Sequence, residues 1–399
     1  MAERQPRLRV LYSFPHPLGS PGIGRTAWHQ VDELVAAGHE VRVVTTRLAG
    51  PPPPGARVTT TLSTLPARAV GRRLGVDRVM AWNDARAARV LGRAPGSYDV
   101  VHTWPAGGLR TVRAANRHGV ASVRELPNTH TAHAYEVARA AAHDVGVALA
   151  ATSSHAFHGP RLARELMEYA EATALLAPSD AVAATFAERG FDARRVLRHQ
   201  YGFDPRAFVP PPPAARPAGR PLRALFLGRA EPRKGLHLAL RAWAASSASR
   251  DGVLTVAGAF VPGYREALGP LLDQPGVRVT GFTDRPADAL AQHDLLLLPS
   301  AEEGSALVTY EATATGCVPL VSDASGAPTW AGRAPLVHPT GDWAALAADL
   351  DRLASEPALL EELRQECLRA RELLTWRAGV QRTVEAYRRA LELSGAPRA

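Results

Sequence analysis

Two cationic residues follow a strand-like apolar run just past the middle of the chain. Arg229 and Lys234 lie in the sequence Gly-Arg-Ala-Glu-Pro-Arg-Lys-Gly, directly after the run 222–227. Because ligands of open α/β sheets bind beyond the carboxyl ends of the strands, we expect both cations to converge on one anionic group. A solvated charged turn is the alternative. Lys234 is the single lysine among 47 basic residues, which favours a specific need for a compact ammonium there.

A second segment places two glutamates around a predicted helix start. Glu303 and Glu311 are separated by seven residues and follow the apolar run 295–298. Over eight helical steps the two carboxylates would lie at most about 12 Å apart along the axis and within a quarter turn of one face. The free N–H groups and the dipole of a helix start favour an anion. The residues predicted to hold that anion are Gly304, Ser305, Ala306 and Leu307.

A carboxylate, an anion site and a second carboxylate together suit a nucleoside-diphosphate sugar. The sugar hydroxyls would contact one glutamate, the diphosphate would contact the helix start, and the ribose hydroxyls would contact the other glutamate. The alternative is that Glu303 is only a charge at a helix start and that Glu311 is a surface residue. That alternative explains either glutamate alone better than it explains the pair.

Two loops in the first half of the chain are further candidates. Gly22 and Gly24 follow the first strand-like run and would let the backbone approach a ligand closely. The loop is not a full G-x-G-x-x-G sequence, so it gives little support to a nicotinamide cofactor. His130 lies in a polar loop after a short strand-like run and is a candidate cleft residue, with a structural histidine as the alternative. His102 and His133 are weaker candidates.

Strand, glycine-bearing loop and helix signals alternate in both halves of the chain. This alternation is typical of doubly wound parallel sheets, so we predict an α/β fold. The proline-rich stretch 210–221 is interpreted as a linker between Rossmann-like domains over 1–209 and 222–375. A helix over 376–395, capped by Thr375, is predicted to join the first domain and to stabilise it.

The composition excludes several classes of protein. Of the 399 residues, 46% are hydrophobic and 21% are charged, which excludes wholesale disorder. Two cysteines cannot form a disulfide framework or a structural zinc site. No apolar run approaches the roughly 18 residues of a membrane span. The first strand-like run begins at Leu8, which leaves no room for a signal peptide and predicts a cytoplasmic protein.

The basic character of the chain has two interpretations that we do not favour. The net charge is +9, but 38 acidic residues are interspersed with the arginines, so a nucleic-acid partner is not predicted. Residues 68–93 mix arginines with apolar residues and are a candidate for peripheral contact with an anionic membrane. An ordinary helix packed on the N-terminal domain is the alternative that we favour.

Together these features identify a family resemblance that covers almost the whole chain. The sequence resembles the retaining, nucleotide-sugar-dependent glycosyltransferases of the GT-B fold, of the family 4 type. The elements that carry the resemblance are the glycine loop, Gly38–Val41, Asp99–His102, Ala177–Ser179, Tyr201–Pro205, Gly228–Gly235 and, most specifically, the E-x7-E element Glu303–Glu311. The resemblance implies two Rossmann-like domains that face each other across a cleft.

The resemblance also implies roles for individual residues. Arg229 and Lys234 match the pair that grips the donor diphosphate. Glu311 matches the glutamate that binds the ribose, and Glu303 matches the glutamate beside the donor sugar. His130 matches the histidine near the reacting side of that sugar.

Two loops depart from the family pattern. Gly304-Ser305-Ala306 stands where Gly-Phe-Gly is common, and the added methyl of Ala306 lies where the backbone would meet phosphate. Gly22-Ile23-Gly24 stands where Gly-Gly is frequent, in the loop that closes over the diphosphate.

The resemblance implies the transfer of a hexose-type sugar from a nucleoside-diphosphate sugar to an acceptor hydroxyl, with retained configuration and without a metal or other cofactor. The one Asp-x-Asp sequence, Asp349 to Asp351, is predicted to be helical, where the two side chains point apart and cannot share an ion. The donor sugar, its base and the acceptor are not specified by these residues. The alternative function is a non-catalytic nucleotide-sugar-binding protein of the same fold.

Overall fold

A computed structural model of the protein describes residues 6–62, 75–212 and 220–395. Parallel strands alternate with helices along most of the described chain. The strands are β1 (Arg9–Phe14), β2 (Glu40–Thr45), β3 (Arg57–Thr60), β4 (Val100–Thr103), β5 (Ala121–Glu125), β6 (Ala174–Ala177), β7 (Val196–Arg198), β8 (Arg223–Leu227), β9 (Val253–Ala257), β10 (Val277–Gly281), β11 (Leu295–Leu298), β12 (Val318–Ser322) and β13 (Leu336–His338). The helices are α1 (Ile23–Ala36), α2 (Val76–Arg93), α3 (Leu109–His118), α4 (Thr131–Asp144), α5 (Gly159–Glu171), α6 (Asp180–Ala187), α7 (Leu236–Ala245), α8 (Tyr264–Leu268), α9 (Pro286–Ala291), α10 (Leu307–Thr315), α11 (Trp343–Ser355), α12 (Pro357–Ala370) and α13 (Trp376–Ser394).

The chain divides into two compact units, each built on one sheet. Unit 1 comprises Met1–Pro127, His158–Tyr201 and Gly379–Ala399, and unit 2 comprises Asn128–Phe157 and Gly202–Ala378. The units differ from the predicted domains chiefly at 128–157, which contacts unit 2 although it lies within the predicted first domain. Residues 213–219 of the predicted linker lie outside the described residues.

Both sheets are parallel and doubly wound. The strand order is β3-β2-β1-β4-β5-β6-β7 in unit 1 and β10-β9-β8-β11-β12-β13 in unit 2. The order therefore reverses between β1 and β4 in the first sheet and between β8 and β11 in the second. Ligands of such sheets bind beyond the strand ends at the reversal, so each unit has one favoured edge for a site. The α/β architecture predicted from the sequence is confirmed.

Each unit has its own apolar core. In unit 2, Phe226, Leu297 and Leu320 of the sheet pack with Trp243 of α7 and Leu350 of α11. All four residues of β11 are leucines and all are buried, as expected for a central strand covered on both faces.

The C-terminal helix α13 passes from unit 2 into unit 1. Thr375 Oγ1 accepts a hydrogen bond from the amide of Ala378 (3.2 Å), which caps the helix as the sequence predicts. Val380, Val384 and Tyr387 are buried in the core of unit 1. Their burial gives a physical basis for the predicted stabilisation of that unit.

Part of the apolar face of α2 is also buried. Met80, Val90 and Leu91 of this helix are 7% exposed or less, and Val90 and Leu91 pack in the core with residues of β1 and β4. Three apolar residues of the described part of the proposed membrane segment are therefore buried in unit 1, whereas Val76 and Trp82 are exposed, and 68–74 lie outside the described residues. In the described parts of the chain, we find no helix with the length and apolar character needed to cross a membrane.

A buried polar network joins the core strands of unit 1. The side chain of Glu125 is fully buried at the end of β5. Its Oε1 accepts from the Tyr201 hydroxyl (2.9 Å) and lies 2.9 Å from His199 Nε2, while its Oε2 lies 3.3 Å from His102 Nε2. Burial opposes ionisation of Glu125, but its interactions with His199 and His102 lower the pKa of this carboxyl below its ordinary value.

Tyr387→Phe tests the contact between α13 and this network. The Tyr387 hydroxyl lies 2.7 Å from His102 Nδ1, and both side chains are buried. Removing the hydroxyl leaves a buried ring nitrogen without its partner, so we expect a loss of about 1–3 kcal/mol in the stability of unit 1. Urea unfolding followed by fluorescence measures the loss, with Arg382→Ala on the exposed side of α13 as the control. A loss no larger than that of the control would contradict the assigned contact.

A second buried cluster in unit 1 contains one cation and two acids. Arg124 NH2 lies 3.1 Å from Glu165 Oε2 and 3.2 Å from Glu168 Oε2. Glu168 Oε1 accepts from the amide of Gly108, before α3 (3.0 Å). Burial and the neighbouring Glu165 raise the pKa of Glu168 to about 7, although Arg124 opposes the shift.

This raised pKa predicts a pH-dependent stability. Between the ordinary pKa of 4.5 and about 7, the folded state holds a proton on Glu168 that the unfolded state releases, so stability falls as pH rises through that window. In Glu168→Gln the part of the slope contributed by this group disappears. Thermal melting of both proteins between pH 4.5 and 8 measures the difference, and parallel curves would contradict the assignment.

Candidate functional site

The predicted cation and acid meet at the sheet reversal of unit 2. Lys234 ends a 3₁₀ turn, Pro232–Lys234, that follows β8, and Glu303 follows β11. Strands β8 and β11 are hydrogen-bonded neighbours on either side of the reversal. The fold thus brings together two residues that are 69 positions apart in the chain.

Lys234 and Glu303 form a short ion pair. Lys234 Nζ donates to Glu303 Oε1 at 2.6 Å, and the two side chains are only 18% and 11% exposed. Arg233 NH1 lies 3.4 Å from Glu303 Oε2. Burial alone would raise the pKa of Glu303, but the charges of Lys234 and Arg233 lower it to about 2. Glu303 is therefore a carboxylate at neutral pH, with both oxygens facing cations.

A glycine allows the 3₁₀ turn to pack directly on the end of β11. Gly235 has a φ of +72°, and a Cβ at this position would lie 2.0 Å from the carbonyl oxygen of Pro299. The Ala301 amide donates to the Arg233 carbonyl (2.7 Å), which fixes the two loops together. Any larger residue at 235 would push Lys234 away from Glu303.

Three residues that the sequence analysis did not select complete the cluster. The buried carboxylate of Glu302 accepts from the amide and the hydroxyl of Thr129, at 3.0 and 2.7 Å, through Oε1. Its Oε2 accepts from Arg233 NH1 at 3.1 Å. Burial would lower the pKa of Arg233, but Glu303, Glu302 and Glu231 raise it, so the guanidinium stays charged. The adjacent charges Arg233-Lys234 and Glu302-Glu303 were the sequence signal for this network.

The loop before α10 differs from the predicted helix start. The helix begins at Leu307, so Glu303 lies in a loop and the expected eight helical steps to Glu311 are wrong. The amide of Ala306 donates to the Ser325 carbonyl (3.4 Å) and is not free for an anion. The first amides of α10, at Leu307 and the next residue, have no acceptor within the helix and remain candidates for the predicted anion site.

Neighbouring residues hold this loop in place. Ser305 Oγ donates to the Gly326 carbonyl (2.9 Å) and lies 2.9 Å from the Tyr310 hydroxyl. Ala306 has a φ of −69°, which alanine adopts without strain, so the alanine in place of a glycine does not disturb the backbone here. Glu311 is half-buried in α10.

Arg229 is exposed at the surface of unit 2. Its side chain lines a cavity of about 460 Å³ together with residues of α4 and of the loop that follows that helix. The convergence of Arg229 and Lys234 on one anionic group stays a prediction.

The structure also gives the local contacts of the remaining predicted residues. His130 is 3% exposed and caps α4, where its Nδ1 accepts from the amide of Ala132 (3.3 Å). Gly22 precedes α1 with a φ of +76°. A Cβ on Gly24 would lie 2.3 Å from Ser20 Oγ, so the loop itself requires this glycine. Gly22 and Gly24 belong to unit 1 and His130 belongs to unit 2.

The Asp-x-Asp sequence lies within α11, as predicted. Asp351 accepts from the amide and the hydroxyl of Ser247, both at 2.6 Å, and so fixes the turn after α7. Over residues 6–62, 75–212 and 220–395, no group of three or more His, Cys, Asp or Glu side chains is placed to hold a metal ion.

Comparison with known proteins identifies the family. The family described as "Glycosyl transferases group 1" matches residues 221–356, and the family described as "Glycosyltransferase Family 4" matches residues 21–206. Together the two matches cover most of the chain. The chain is a group 1 glycosyltransferase. As such it is an enzyme, which is the function predicted in preference to a non-catalytic binding protein.

Curated relatives of this glycosyltransferase share one name. A D-inositol 3-phosphate glycosyltransferase of Rhodococcus opacus (strain B4) is 32% identical over 333 residues, which cover 74% of this chain and 68% of that protein. A protein of the same name from Nocardia farcinica (strain IFM 10152) is 29% identical over 405 aligned residues, covering 88% and 84% of the two chains.

Solved structures confirm the GT-B fold. HepE of Anabaena in complex with UDP superposes with a TM-score of 0.64 at 15% identity, over 95% of this chain and 99% of that one. Sucrose-phosphate synthase from Thermosynechococcus elongatus superposes with a TM-score of 0.68 at 19% identity, over 97% and 100%.

Lys234→Met tests the ion pair in the folded protein. It leaves the Glu303 carboxylate with Arg233 alone, so we expect a loss of about 3 kcal/mol, the low end for a broken buried pair. Lys234→Met/Glu303→Gln removes both charges and is expected to recover part of that stability. Urea unfolding of the two variants measures the difference, and a double variant less stable than the single one would contradict the pairing.

Proposed function

We propose that this glycosyltransferase moves a hexose-type sugar from a nucleoside-diphosphate sugar to an acceptor hydroxyl, with retained configuration and without a metal ion. The observation that carries the proposal is the Lys234–Glu303 pair, 2.6 Å apart beside the first turn of α10. A cation and a helix start at a sheet reversal are suited to a diphosphate, and a carboxylate beside them is suited to sugar hydroxyls.

Lys234 can bind the donor without releasing Glu303. An ammonium has three N–H groups, and the contact with Glu303 uses one. Negative charge grows on the departing diphosphate as the bond to the anomeric carbon breaks. Lys234 and the first amides of α10 would stabilise that charge where it develops, in a region largely screened from water.

The remaining assignments follow from the family resemblance. Glu311 is proposed to bind the ribose, and Arg229 is proposed to reach the diphosphate from its exposed position. No obvious nucleophile emerges from the sequence, so retention is proposed to occur by attack on the face that the diphosphate leaves. The departing phosphate would then take the proton of the acceptor hydroxyl.

A phosphorylated polyol is the acceptor class that we propose. The support is the name of the relatives, which are D-inositol 3-phosphate glycosyltransferases at 28–32% identity. UDP is the nucleotide to examine first, because HepE, a protein of the same fold, has been solved with UDP and with UDP-glucose.

The transfer reaction tests the proposal directly. Purified protein is incubated with UDP-, GDP- and ADP-sugars, with and without inositol phosphates, and nucleoside diphosphate release is measured. We expect one donor to be consumed, and Lys234→Ala to lower the rate by about 100- to 1000-fold, as for the loss of one oxyanion donor. Arg352→Ala, an exposed residue of α11, is the control. Failure to consume any donor, or full activity in Lys234→Ala, would contradict the proposal.

Independence from metal ions has its own test. After dialysis against EDTA, the rate with the preferred donor is expected to stay unchanged, because the ammonium and the helix start supply the charge that a metal would otherwise supply. Loss of the rate on dialysis, with recovery on adding Mg²⁺ or Mn²⁺, would overturn this part of the proposal.

A further inference from the structure

Glu302 connects three segments of unit 2. In each segment, the residue that takes part in the connection is followed directly by a predicted site residue. Its partners are Thr129, which precedes His130, and Arg233, which precedes Lys234. Glu302 itself precedes Glu303. Each contact of Glu302 therefore sets the place of one functional candidate.

The two oxygens of Glu302 face different segments. Oε1 takes both hydrogen bonds of Thr129, and Oε2 takes the Arg233 guanidinium. Arg233 also donates to the main-chain carbonyl of Glu302, which ties the backbone as well as the side chain. His155 Nε2 lies 4.0 Å from Oε2, which is too far for a hydrogen bond.

Burial restricts the movement of Glu302 and its partners. The Glu302 side chain is 0% exposed and the Arg233 side chain is 8% exposed. A buried carboxylate that loses a hydrogen-bond donor is left desolvated and unpaired, which raises the free energy of the folded state. Movement of Thr129 or Arg233 away from Glu302 is therefore unfavourable. The His130 ring is held in turn by the amide of Ala132.

We propose that Glu302 is a positioning residue for sugar transfer, which fixes the His130 loop against the Lys234–Glu303 pair. The inference rests on the proposed function and on the place near the reacting side of the donor sugar that the family resemblance implies for His130. Misplacement of a positioned group by about 1 Å costs up to 100-fold in rate. The contact with Thr129 positions the loop that carries His130, and the contact with Arg233 positions the turn that carries Lys234. Lys234 itself would contact the diphosphate.

The matched variants Thr129→Val and Thr129→Ser separate positioning from packing. Valine keeps the shape of the side chain and removes the hydroxyl donor, whereas serine keeps the donor. For Thr129→Val we expect kcat for the preferred nucleotide sugar to fall about 10-fold, with KM and the Kd for UDP within twofold, since the lost interaction acts only on the reacting geometry. Thr129→Ser is expected to recover most of kcat.

A second measurement does not depend on activity. Hydrogen exchange of peptides that cover 128–133 is expected to be faster in Thr129→Val than in the wild type and to be restored in Thr129→Ser. Glu302→Gln, which loses the charge facing Arg233, is expected to speed exchange in the same peptides and to lower kcat. Combined with Thr129→Val, it should lower kcat by less than the product of the two single effects.

Unchanged exchange at 128–133 in Thr129→Val would overturn the inference whether or not the protein turns over a nucleotide sugar. An unchanged kcat in an active enzyme, or equal losses in Thr129→Val and Thr129→Ser, would overturn it as well. A wild type that binds no UDP, GDP or ADP and consumes no donor would instead overturn the proposed function, and the exchange data would then decide the inference alone.

Discussion

The ion pair between Lys234 and Glu303 is the contact on which the site depends. It forms because β8 and β11 are neighbours where the sheet order reverses, so the turns that follow them share one edge. Gly235 brings these turns together by leaving no side chain against Pro299. The result is a nearly buried ammonium whose charge is balanced by one carboxylate. An anion that arrives there meets a fixed cation and a helix start that need little rearrangement.

Neighbouring charged residues contact the pair and hold it in one geometry. Arg233 and Glu302 repeat the cation–acid pairing one residue earlier in each segment, with Oε2 of Glu302 3.1 Å from the guanidinium. Thr129 extends the same network to 128–157, a segment that belongs to unit 2. The residues of the site therefore all belong to unit 2, which includes the segment 128–157 from the first half of the chain.

The sequence predicts most of this fold because its central strands are buried on both faces. The runs 222–227 and 295–298 correspond to β8 and β11, whereas the short outer strands β3, β7 and β13 were missed because they are three or four residues long and partly exposed. In the site, Lys234 and Glu303 were found from type and spacing. Glu302, Arg233 and Thr129 were not, because contacts between distant segments leave no period in the sequence. The eight-step helical spacing to Glu311 failed because a loop of 303–306 precedes the helix.

A crystal structure of the protein with UDP would show where the diphosphate binds. We expect the β-phosphate to lie within hydrogen-bond distance of Lys234 Nζ and of the first amides of α10, with Glu303 still in contact with the ammonium. A nucleotide bound elsewhere, with no phosphate oxygen near the Lys234–Glu303 pair, would show that this pair does not bind the donor.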